Sequence, residues 1–113
     1  MKRRQIGVAL LVGAGITGML AIRSAAGSNK AESTQAIRQG QQTFARYCAS
    51  CHSIHSAASL TGPGFKGYFS NHQPKPSDII VRAVIAKGKG KMPAFGNLNK
   101  TQTDEVIAYL KTL

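Results

Sequence analysis

The chain has 113 residues, 42% apolar and 17% charged, a composition that excludes a disordered polymer and leaves room for one small domain. It carries 15 lysines and arginines against 4 acids, a formal charge of +11. That surplus excludes attraction to basic surfaces and favours acidic ones, without choosing among nucleic acid, anionic lipid and acidic protein.

At the N-terminus, Met1-Lys2-Arg3-Arg4-Gln5 precedes an apolar run, Ile6 to Ile22, of 17 residues without a charge. A basic front and an apolar centre are what a secretory signal needs. The run is longer than a usual signal core of ~7–15 residues and sits at the short limit of a membrane span, ~17–25. Ser24-Ala25-Ala26 offers a small-x-small cleavage site before Gly27, whereas Arg23 resembles a stop-transfer boundary. Residues 1–26 are therefore expected to be a signal peptide or an uncleaved membrane anchor, an apolar N-terminal helix through which residues 6–22 would meet the membrane. Four glycines and the lack of a polar face argue against a buried soluble helix. In both cases Lys2, Arg3 and Arg4 hold the N-terminus inside, which places the rest on the periplasmic side of a bacterial cytoplasmic membrane, anchored or soluble after cleavage. Export removes nucleic acid from the expected partners. From Gly27 onward 11 bases still face the 4 acids.

Residues 27–33 are small and polar and read as a linker, leaving residues 34–113 as the folded domain. Its first helix is expected from about Thr34 to Tyr47, capped by Ser33 or Thr34. Ile37, Gly40, Phe44 and Tyr47/Cys48 fall on one face. A second helix is expected from Asp78 to Lys87, with Ser77 as its cap and Gly88 as its stop. Its apolar stripe is Ile80, Ala83 and Val84, with Ile79 or Lys87 at the margin. A third is expected from about Thr103 to Leu113, with Thr101 and Asp104 resembling a capping box. Val106, Ile107, Leu110 and Leu113 form its buried face. Between the first two helices, glycines and prolines in residues 53–76 exclude a long helix, and no stretch alternates as a strand does. The fold class is thus all-α, three main helices with long loops. So thin a core calls for a staple or a cofactor, and a loop of that length normally wraps something.

Residues 48–52 read Cys-Ala-Ser-Cys-His and hold both cysteines of the chain. Four chemistries compete for them. A redox dithiol normally lies in a βαβ setting, and no strand precedes this one. A disulfide between Cys48 and Cys51 would close a tiny loop and stabilise little. Zinc could take Cys48, Cys51, His52 and His55, but structural zinc sites space their ligand pairs further apart. Covalent haem attachment matches the spacing directly. At a helix end Cys48 and Cys51 project to one side, one turn apart, and each can form a thioether with a haem vinyl group. His52 is then carried beneath the iron. The disc would also supply the missing core.

A sixth ligand is then needed. Outside the first segment the one methionine is Met92, in Gly-Lys-Gly-Lys-Met-Pro-Ala-Phe-Gly. A thioether is a soft ligand that favours ferrous iron, and its place in a glycine-rich loop suits a ligand better than core filler. His55 is too close to His52 to reach the opposite haem face, while His72 could reach it. With both axial positions filled the iron would have no open site for oxygen or peroxide, so the chain is expected not to be an enzyme. Lys87, Lys89 and Lys91 flank Met92 and are equally a solvated charge run or the docking face for an acidic redox donor or acceptor. The alternatives that remain are a haem-based ligand-binding or peroxidase-like protein in which Met92 is off the iron, and a small zinc-binding module.

Taken in order, "FARYCASCH", "TGPGF", "GKGKMPAFG" and "TDEVIAYLKTL" resemble the small class I cytochromes c, over essentially all of residues 34–113. The 40-residue step from His52 to Met92 suits that family. The resemblance implies the cytochrome c fold around one covalent haem c, with His52 and Met92 on the iron, and one-electron transfer between ferric and ferrous states. It implies that the first and last helices cross where Gly40 and Phe44 meet Tyr109 and Leu110. It also implies that the Pro63 carbonyl orients the ligand histidine. Relatives often place a Trp near a haem propionate; this chain has none, and Arg82 and Tyr68 are the substitutes considered.

Overall fold

The computed structural model describes Gly13 and residues 25–113; the apolar run expected as a signal or anchor lies, but for Gly13, outside the described residues. Four helices follow in order: α1 (Ala25–Tyr47), α2 (Tyr68–Asn71), α3 (Asp78–Lys87) and α4 (Lys100–Leu110). Among the described residues there is no strand, only an isolated bridge between Lys89 and Met92. Nor is any helix among them long and apolar enough to cross a membrane.

α1 begins well before the expected Thr34 and runs through residues 27–33, which had read as a tether. No proline interrupts that stretch. The two hydroxyls expected to cap the helix turn back onto it instead. Ser33 Oγ donates to the Asn29 carbonyl at 2.8 Å and Thr34 Oγ1 to that of Lys30 at 3.0 Å. This i−4 back-bonding is the alternative open to Ser and Thr inside a helix.

α1 and α4 form the main packing pair. Gly40 is buried where they cross, and a Cβ there would overlap the Glu105 carbonyl and stand 2.9 Å from Tyr109 Cβ. Glycine costs about 1 kcal/mol inside a helix; here it lets two backbones approach. Four residues on, the Phe44 and Tyr109 rings meet edge to face, centroids 5.7 Å apart. With Phe69, Ile85, Val106, Ile107 and Leu110 they form the core.

The bounds of α3 coincide with the expectation, and Ser77 Oγ accepts from the Ile80 amide. Its buried side does not. Ile79 is 80% exposed and Ile80 62%, while Ile85 is buried and Val81 packs on the core. The reason is that α3 turns Asp78, Val81, Arg82 and Ile85, one face by spacing, toward α4. Arg82 pairs with Asp104, and Lys111 reaches Asp78 at 2.6 Å. Two of the four face positions are charged, so apolar periodicity could not find them.

α4 starts earlier than expected, and its capping box is a different one. Asn99 Oδ1 accepts from the Gln102 amide at 2.8 Å, and Gln102 Oε1 accepts from the Asn99 amide at 3.0 Å. Asn and Gln suit those two positions better than the Thr101–Asp104 pair. Asp104 serves as an ion-pair hub instead. Lys100, then Arg82, hydrogen-bond its carboxylate and hold its pKa below the ordinary range. The loop 53–76, expected without helix, carries the single turn α2, pinned by buried Phe69.

Candidate functional site

The turn that ends α1 builds the site. The Cys48 carbonyl accepts from the Cys51 amide at 3.1 Å and from the His52 amide at 3.0 Å, which winds residues 48–52 into one further turn. Both thiols are half-buried and not joined to each other, and His52 is 9% exposed. Burial, with a smaller contribution from Cys51, pushes the Cys48 thiol up to about 11. Among the described residues no three His, Cys, Asp or Glu side chains converge as metal ligands. His55 is exposed.

The loop after the turn folds back on it. The Gly62 amide donates to the Cys51 carbonyl at 2.9 Å and the Phe65 amide to that of Ser53 at 2.7 Å. Pro63 is thereby placed with its carbonyl 2.9 Å from His52 Nδ1. A carbonyl only accepts, so Nδ1 carries a proton, and in the neutral ring Nε2 is the nitrogen left with a lone pair for a Lewis acid. Two further residues hold the ring. A Cβ at Gly62 would overlap the imidazole, and the Phe65 ring stacks on it, centroids 4.5 Å apart and planes 12° from parallel. Neither was anticipated, although "TGPGF" contains both; the pattern marks a turn, and only the fold shows what it leans on.

Met92 is half-buried against the core cluster. Its loop is closed by paired bonds, Lys89 amide to Met92 carbonyl at 3.2 Å and the reverse at 3.0 Å, and is tied to α3 by the Phe95 amide on the Ile85 carbonyl at 2.8 Å. Gly88 and Gly90 take positive φ of 74° and 59°, and a Cβ on Gly88 would stand 2.5 Å from the Met92 carbonyl oxygen. Lys87, Lys89 and Lys91 are all exposed around it. His72 is exposed and stacks on Tyr68 at 4.7 Å. Arg82, considered for a propionate, is committed to Asp104.

The donor set fits an iron porphyrin. Two thiols sit a turn apart, an oriented imidazole follows them, and a soft thioether is held in a separate rigid loop. Met92 packs on the core cluster, and buried His52 stacks on Phe65, which packs on the same cluster.

The profile of the family described as cytochrome c oxidase, cbb3-type, subunit III matches residues 35–110. Cytochrome c6 of Diacronema lutheri is 33% identical over 73 residues, which are 62% of this chain and 83% of that protein. No solved structure matches the chain.

Proposed function

Because the chain belongs to the cytochrome c family, as a small single-haem class I member that carries electrons on covalently bound haem c, we propose a specific role for each residue of the site. Bound there, the haem supplies a one-electron ferric/ferrous couple. Cys48 and Cys51 hold it by thioethers to its two vinyl groups. His52 would hold the iron through Nε2. The Pro63 carbonyl, on Nδ1–H, fixes the ring's rotation and raises its basicity. Met92 would be the second protein ligand, and its thioether would raise the reduction potential. Gly62 and Phe65 keep the imidazole from swinging away, so little reorganises when the charge on the iron changes. Two protein ligands would leave no vacant position for oxygen or peroxide, which favours a carrier over an enzyme.

The observation that carries this reading is the buried His52, one residue beyond the cysteine pair, with Nδ1 engaged by Pro63 and Nε2 left for the metal. Its test is an intact mass of the native protein made in a host competent for cytochrome maturation. The expected mass exceeds the polypeptide by one haem that survives denaturation; a colourless protein of bare polypeptide mass would end the reading. The same spectrum reports whether residues 1–26 act as a cleaved signal or stay as an anchor on the outer side of the cytoplasmic membrane.

Lys87, Lys89 and Lys91 form the docking face for an acidic redox donor or acceptor. Their exposure around the Met92 loop supports this. Exposed charges are screened within about 10 Å at 0.1 M salt. Turnover with the physiological partner should therefore slow steadily as salt is raised, and a rate indifferent to ionic strength would remove the docking role.

A further inference from the structure

One group of side chains extends the site beyond the ligands. Phe65 is a hub. It stacks on His52 at 4.5 Å and meets Tyr68 at 5.6 Å, Phe69 at 6.0 Å and Phe44 at 6.0 Å. The Phe44 branch runs on to Tyr109 and ends in the core, where both rings are buried. Phe69 is buried too. Only the Tyr68 branch leaves the interior: Tyr68 is half-buried, and its ring stacks on exposed His72 at 4.7 Å with planes 25° apart. Phe69 also touches Tyr68 at 5.4 Å, so the step from hub to surface is doubled.

The geometry points to an electron route from the haem iron to the surface through His52, Phe65, Tyr68 and His72, opening on the face made by α2 and the residues after it. It rests on the reading of His52 as an iron ligand. Electronic coupling falls steeply across empty gaps and slowly through touching atoms. Here an imidazole is followed by rings in van der Waals contact all the way to solvent. A single electron passes between the iron and a one-electron partner at His72; one is oxidised as the other is reduced, no proton moves and no bond is made or broken. Residues 64–77 hold Lys66 and Lys75 and no acid, so the partner suited to this port has an acidic face. The lysines beside Met92 belong to a different loop.

The test uses the holoprotein carrying a ruthenium polypyridyl photo-oxidant on His72, in a His55→Gln background so that one exposed imidazole takes the label. The flash-triggered rate from ferrous haem to ruthenium(III) is read. Tyr68→Leu should slow it on the order of tenfold, because the lost ring leaves a gap without partner atoms. Tyr68→Phe should keep the native rate, since the ring and not the hydroxyl is required. Phe65→Leu should act like Tyr68→Leu; if it fails to fold, the surface pair at position 68 still decides. In a His72→Gln background with native His55 carrying the label, Tyr68→Leu should change nothing. A His72 rate indifferent to Tyr68→Leu, with the ferric haem still low-spin, overturns the route and leaves His52 in place. Loss of the low-spin spectrum from the unsubstituted protein overturns both.

Discussion

Met92→Ala should turn the carrier into a protein that binds carbon monoxide rapidly when reduced. On the proposed ligation the iron has no vacancy, and binding must wait for the thioether to leave. Without Met92 the sixth position falls to water, which yields at once. The reduction potential should drop as well. Thioether sulfur stabilises the electron-rich ferrous state more than water does, so its loss favours ferric iron. Axial ligands span about 0.8 V among haem proteins, and a fall of hundreds of millivolts is expected. Met92→His separates the two effects: imidazole refills the position, so carbon monoxide binding stays slow while the potential still falls. Native potential and native slow binding in Met92→Ala would show that sulfur is not on the iron and would reopen His72 as the ligand.

Gly40→Ala sets two rules against each other. Helix propensity alone favours alanine by about 1 kcal/mol. At Gly40 the added methyl would overlap the Glu105 carbonyl, a backbone atom that no rotamer change can move. α1 and α4 must then separate, which pulls Phe44 from Tyr109 and loosens the turn that carries Cys48 and His52. Overpacking typically costs 1–3 kcal/mol, and backbone overlap belongs at about 3 or beyond. For a domain of this size each kcal/mol moves Tm by roughly 4–8 °C. The holoprotein should thus melt at least about 12 °C lower, followed by circular dichroism. An unchanged or raised Tm would mean that the crossing is looser than the structure has it.

Both predictions concern positions whose residue type was readable in the chain before their surroundings were known. The same holds for the bounds of α3, because Ser77 and Gly88 are local punctuation and act within a turn of themselves. Local rules failed where a residue had two local uses. Ser33 and Thr34 can cap a helix or bond back onto one, and they do the second. Asn99 and Thr101 both qualify as caps, and Asn99 takes the position with Gln102 to complete the box. α2 was missed because one helical turn between glycine and proline has no periodicity to detect.

The chemistry proposed for Cys48, Cys51 and His52 follows from the order of residues along a few ångströms of chain, where covalent geometry leaves little choice. The same is true of Gly40 as a point of close approach and of Met92 as a soft donor in a glycine-rich loop. Which way α3 faces was not settled locally, since Arg82 and Asp78 choose α4 through ion pairs formed across 20 or more residues of sequence. Nor was the cradle of His52, where Gly62, Pro63 and Phe65 act only once the loop returns to the turn that precedes it. Short-range spacing specifies which atoms a site can offer. Their orientation comes from contacts between distant segments, whose energies depend on both partners at once.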